Sequence, residues 1–112
     1  MANKILHLTL KKKWFDMIAS GEKKEEYREV KDYWVKRLLN HFEFIEFPKG
    51  WEYVSREFDL VVFKNGYSTN APTMTVECKG IVIGKAVSEW SDNWQGNVFK
   101  IKLGEIKEVL NG

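Results

Sequence analysis

The chain has 112 residues, 44% of them hydrophobic and 14% aromatic, a globular composition with enough material for one domain, 1–112, with its own core. Its 18 basic and 16 acidic residues leave a net charge of +2, which argues against a grip on long duplex backbone and leaves room for a nucleotide, a short single strand or no nucleic acid. A single cysteine, Cys78, excludes an internal disulfide, and two well-separated histidines, His7 and His41, argue against a zinc site, so no metal or other cofactor is expected.

Residues 4–10, KILHLTL, alternate: Leu6, Leu8 and Leu10 share one face and Ile5, His7 and Thr9 the other, which predicts a half-buried strand. Trp14, Phe15 and Ile18 then fall at helical spacing, and Gly21 stands where a left-handed glycine would end a short helix. Residues 22–42 carry two patterns. Tyr27, Val30, Trp34 and Leu38 fit one face of a long helix, whereas a strand would put Tyr27 toward the core with Glu26 and Arg28 opposite. Local pattern alone favours the helix.

The segment 40–47 offers Phe42, Phe44 and Phe47, a short strand or an aromatic loop leading to Pro48 and Gly50. Residues 58–67 read as a buried strand ending at the Asn65–Gly66 turn. Residues 73–87 read as a long strand with Met74, Val76 and Cys78 on one face; beyond Gly80 the apolar parity changes to Ile81 and Ile83, so Gly80 marks a bulge. In 97–110, Phe99, Ile101 and Leu103 face inward and Lys100 and Lys102 outward. Several strands with one or two early helices predict an α+β fold with a curved sheet or small barrel. No apolar run approaches the ~20 residues of a membrane span, and residues 1–13 lack a signal-peptide pattern, so a cytoplasmic protein without a membrane partner is expected.

The stretch SGEKKEEYR, 20–28, carries a glycine, a lysine two residues later, an acid three further on and an arginine two after that: Gly21, Lys23, Glu26 and Arg28. With its lead-in of ILHLTL and WFDMIASG, this resembles the ASCH domain, a member of the PUA-like group of small β-barrels. FKNGY, TMTVECKGIVIG and FKIKLGEI also resemble a bacterial and phage branch of that family; residues 39–57 and 88–96 resemble it least. The resemblance implies a PUA-like small barrel, a curved mixed sheet with one or two flanking helices. It also implies a strand after Gly21 and a helix from near 31–33. Glu26 and Arg28 would then share a face, and Lys23, of the wrong parity, would reach the same pocket through an irregular turn.

From spacing alone, Glu26 and Arg28 read as an ion pair at a sheet edge, worth under ~1 kcal/mol if exposed. The resemblance instead implies a cleft for RNA or a nucleotide-like ligand, in which Arg28 offers a fork of donors and Lys23 a mobile charge. Some family members are amidohydrolases that remove acyl groups from modified cytidine, using a lysine, a threonine three residues on and a distant glutamate. Lys23 matches the lysine, Glu26 stands at the threonine position, and Glu77 or Glu89 could supply the acid. If the chain is an enzyme, Lys23 and Glu26 are the catalytic candidates, with Lys23 as base toward a water. A protein-interaction module is a third reading.

Of the aromatic residues, Trp14 and Trp34 have helix-face spacing and read as core. Trp51, Trp90, Trp94 and Tyr67 are candidates for stacking, with packing an equal reading at Trp90 and Trp94. The expected ligand contacts are therefore Gly21, Lys23, Glu26, Arg28, Tyr67, Glu77 and Trp90. Cys78 reads as an inert core thiol.

Overall fold

A computed structural model describes residues 4–45, 50–92, 94 and 96–111. The alternating leucines form β1 (Ile5–Leu10), with Leu6, Leu8 and Leu10 buried and His7 exposed. Helix α1 (Lys12–Ala19) follows and buries Trp14, Phe15 and Ile18. The competition over 22–42 resolves into strand β2 (Glu25–Glu29) and helix α2 (Asp32–Leu38) rather than one helix. Five residues of β2 pair antiparallel with β7 (Asn97–Leu110), and this pairing outweighs a helical stripe that would have left the β7 edge open. Val30, a member of that stripe, is 36% exposed in the bend between the two elements.

β5 (Leu60–Asn65) and β6 (Thr73–Lys85) complete a five-stranded sheet in the order β1-β5-β6-β7-β2. The β1–β5 pair is parallel and the others antiparallel, so the sheet is mixed. It curls into a half-barrel flanked by the two helices, a small α+β architecture. The curl comes partly from register shifts between β6 and β7 at Val76, Cys78 and Gly80. Gly80 has φ 129°, a conformation side chains rarely adopt, and the face of β6 changes there to Ile81 and Ile83 as its parity predicts.

The core gathers the leucines of β1, Phe15 and Ile18 of α1, Val61 and Phe63 of β5, Met74 and Val76 of β6, and Phe99, Ile101 and Leu103 of β7. β3 (Leu39–Ile45) and β4 (Gly50–Ser55) form a separate two-stranded sheet; β4 is a strand that the sequence pattern did not announce. Tyr53 ties this hairpin to the main sheet by accepting the Ile83 N–H at 3.0 Å. Phe47 and Pro48, and the side chain of Trp51, lie outside the described residues. Among the described residues, no helix is long and apolar enough to cross a membrane.

Candidate functional site

The site begins where α1 stops. The Ser20 N–H reaches the Asp16 carbonyl and the Gly21 N–H the Ile18 carbonyl, and Gly21 takes the left-handed conformation, φ 85°. The Lys23 N–H still bonds back to the Met17 carbonyl at 3.0 Å, and the chain first joins the sheet at Lys24, whose carbonyl accepts the Leu103 N–H at 3.0 Å. Strand parity therefore does not govern Lys23. Its side chain turns inward and is 2% exposed.

The β2–β7 register sets the next two residues. Glu26 stands opposite Ile101 and Arg28 opposite Phe99, and opposed residues of an antiparallel pair share a face. The two charges thus lie on the core side of the sheet. Tyr27, expected to face that core, is buried on the other face. There its hydroxyl donates to Glu25 at 2.8 Å and accepts the Val87 N–H at 3.0 Å, and its ring meets Trp94 edge-on at 6.4 Å. Lys102 (2.7 Å) and Lys100 (3.6 Å) close on the same Glu25 carboxylate. The expectation fails because the edge strand takes its facing from the register with β7, not from its own apolar residue.

Glu26 sits between two cations. One carboxylate oxygen is 3.0 Å from Lys23 Nζ and the other accepts from Arg28 Nη1. Lys23 Nζ also donates to the Trp90 carbonyl at 2.6 Å and stands over the rings of Trp14 (4.1 Å) and Tyr27 (5.2 Å). Arg28 Nη1 donates to the Tyr27 carbonyl (2.8 Å) and Nη2 to the Thr9 carbonyl (3.1 Å). Thr9 belongs to β1 and Arg28 to β2, the two edges of the curled sheet, so this guanidinium spans the seam. Glu26 and Arg28 side chains are 4% and 15% exposed, so this is a buried, mutually satisfied triad and not a solvated edge pair. Burial pushes the Lys23 pKa below the ordinary lysine value, with Glu26 acting against that shift.

The triad forms part of the wall of a cleft of about 840 Å³. Trp14, Trp34, Trp90, Trp94, Tyr33 and Tyr67 supply aromatic surface to it; Lys11, Lys12 and Arg37 add positive charge, and Glu29 and Asp92 negative charge. Trp14 is buried among the hydrophobic residues, as its helix-face spacing predicts, and its ring is also the platform under Lys23 at the cleft wall. Trp34 likewise packs against the core and lines the cleft. Asp92 comes within 3.8 Å of Lys11, joining the start of α1 to the segment after β6.

Of the residues expected at a site, Lys23, Glu26, Arg28, Tyr67 and Trp90 line this one cleft, and Gly21 shapes the turn that delivers Lys23. Glu77 does not join them. It lies on β6 opposite Leu60, and its carboxylate accepts the Glu105 N–H at 3.3 Å across the irregular β6–β7 pairing. Glu89 is exposed in the 3-10 turn Ser88–Trp90 and does not line the cleft either. Thr9, Tyr33, Arg37 and Asp92 were not singled out in the sequence. Only the outward face of β1 hinted at Thr9, and nothing local marks the others.

Among the described residues, no group of three or more His, Cys, Asp or Glu is placed to hold a metal ion. Chemically, the site offers a pre-ordered guanidinium, flat aromatic faces and a mixed but net positive rim. No protein-family model, curated protein or solved structure matches the chain.

Proposed function

We propose that this cleft recognises a nucleotide-like ligand, a base presented with its phosphate, and that the half-barrel is of the PUA-like, ASCH type. The observation that carries the reading is Arg28. Three of its five N–H donors are engaged, by Glu26, the Tyr27 carbonyl and the Thr9 carbonyl, which fixes the plane of the fork. Two donors have no protein acceptor among the described residues, in a group that lines the cleft. A fixed fork with two open donors suits a carbonyl-and-nitrogen base edge or a phosphate. The surrounding indoles suit stacking, which every base permits. A cleft of about 840 Å³ is in the size range of small-ligand sites, and the near-neutral chain fits a short footprint.

Hydrolysis at the same site is a second reading, favoured by the depressed pKa of Lys23 beside Glu26. Against it, the Lys23 ammonium already serves the Trp90 carbonyl and Glu26, and a carboxylate occupies the place of the hydroxyl nucleophile.

The test is an NMR titration of the labelled protein with nucleoside 5′-monophosphates, acylated nucleosides and a short single-stranded RNA. Binding predicts shifts at residues 20–28 and at the indole signals of Trp14, Trp34, Trp90 and Trp94, weakened by salt and by Arg28→Ala, with the ligands intact. Product formation that disappears in Lys23→Ala would replace the binding reading with the hydrolytic one. Shifts elsewhere, or none with any of these ligands, would overturn both and point to a protein partner.

A further inference from the structure

Helix α2 carries a run of planar groups that leads from the buried triad outward. The Arg28 guanidinium carbon lies 5.2 Å from the Trp34 ring centre, the Arg37 carbon 5.4 Å from that same ring, and Arg37 again 5.6 Å from the Tyr33 ring. Tyr33 meets Trp34 edge-on, at 4.9 Å and 86°, and its hydroxyl accepts from Arg37 at 2.9 Å. Exposure rises along the run, from 15% at the Arg28 side chain, through the partly buried Trp34, to 56% at Tyr33. All four residues line the one cleft.

Helix stability does not account for this arrangement. A Tyr33–Arg37 pair one turn apart supports a helix only slightly, and it leaves two features unexplained. Arg37 is an exposed cation oriented by two rings, with no acidic partner among the described residues. At the same mouth Tyr67, from the loop after β5, is 89% exposed, so two large rings stand in water at a single opening. Exposed aromatic faces alternating with guanidinium groups are what a flexible strand of bases and phosphates uses: rings take bases, cations take the phosphates between them.

We infer that the ligand is a single-stranded nucleic acid whose first nucleotide occupies the cleft beside Arg28 and whose following nucleotides run out along α2, with a base on Tyr33 and a phosphate at Arg37. This rests on the nucleotide reading of the cleft and extends it from one nucleotide to several.

The experiment measures the affinity of the full chain for each of the four nucleoside 5′-monophosphates and for a mixed-sequence RNA hexamer, over a range of salt. The hexamer is expected to bind at least about fivefold tighter than any mononucleotide, the gain that one extra stacked base supplies. Tyr33→Ala is expected to lower the hexamer-to-mononucleotide affinity ratio roughly 5- to 150-fold. Arg37→Gln is expected to lower the same ratio and to reduce the hexamer's log–log salt slope by about 0.7, one phosphate's share for a single strand. Tyr33 and Arg37 are exposed, and circular dichroism verifies that both variants fold; Tyr33→Leu, which keeps apolar bulk without a ring, tests stacking if the alanine variant does not. Hexamer and mononucleotide binding equally, or both variants weakening the two ligands alike, would overturn the track along α2 while leaving the nucleotide cleft standing. Failure of every mononucleotide and of the hexamer to bind would overturn both.

Discussion

Replacing Glu26 by glutamine removes a negative charge from between two buried cations while keeping the shape of the side chain. Lys23 Nζ lies 3.0 Å from one oxygen of Glu26, and Arg28 bonds the other. At an effective dielectric of about 20, a unit pair at that separation attracts by about 5 kcal/mol. Part of that attraction already offsets the desolvation of the ions, and breaking such a pair from one side is known to cost about 3–5 kcal/mol. An amide can accept from one cation only, and it turns its own NH2 toward the other. We therefore expect Glu26→Gln to destabilise the fold by about 3–5 kcal/mol. For 112 residues, at about 2.1 cal/mol/K of unfolding entropy each, the corresponding fall in Tm is roughly 13–21 °C. Urea unfolding followed by tryptophan fluorescence, with thermal unfolding beside it, measures both quantities. A companion cycle of Lys23→Met, Glu26→Gln and the double variant Lys23→Met/Glu26→Gln should show the double costing less than the sum of the singles, because the Lys23–Glu26 attraction is lost in each single but only once in the double, with Arg28 present throughout. A loss below about 1 kcal/mol for Glu26→Gln, with additive behaviour in the cycle, would mean that the triad is solvated like an ordinary surface pair, and the burial argument would fail.

Gly21→Ala tests the turn that delivers Lys23. A side chain there would meet no atom within 4 Å, so its cost is conformational alone, about 1–2 kcal/mol at φ +85°, read as a shift in urea midpoint; no shift would mean that the turn relaxes freely. Glu25 gives an acid-side prediction. Burial pushes its carboxyl up, but hydrogen bonds from Lys102 and Tyr27 and the charge of Lys100 outweigh burial and hold its pKa below the ordinary 4.5. The unfolded chain therefore binds the proton more readily, so this contribution is complete above the ordinary value and is lost as pH falls through the folded one. Glu25→Gln should lower stability at pH 7 and flatten its decline between pH 5 and the acid limit, as urea midpoints against pH would show; an unchanged slope would refute the assignment. Burial also pushes the Cys78 thiol above its usual range, so iodoacetamide should label it at least about tenfold more slowly than free cysteine at pH 7.5, with the difference lost in denaturant; rapid labelling of the native protein would contradict the half-buried placement.

Much of the sheet was legible in the residues. Period-two alternation at Leu6, Leu8 and Leu10, at Met74 and Val76, and at Phe99, Ile101 and Leu103 marks which side of each strand is dry, because parity along a strand is a local property. Gly21 and Gly80 announced a helix stop and a bulge, since both hold backbone angles that side chains rarely adopt. The change of element within 22–42 was not local: Tyr27, Val30, Trp34 and Leu38 fit a helix well, and only the open edge of β7 makes the strand preferable. The missed strand β4 has the same character, since its pairing with β3 is what defines it. At the site, the sequence supplied Lys23, Glu26 and Arg28 as neighbours in a motif, but not the face on which they land. That face follows from Ile101 and Phe99 across the ladder, and the partners that satisfy the charges, the Trp90 and Thr9 carbonyls, stand 67 and 19 residues away along the chain. Glu77 shows the converse: an acid of suitable type that the β5–β6 register carries elsewhere. Side-chain chemistry and periodicity belong to the sequence by itself, whereas a buried charge can be placed only when the folded chain brings every counter-charge and carbonyl that must replace its water.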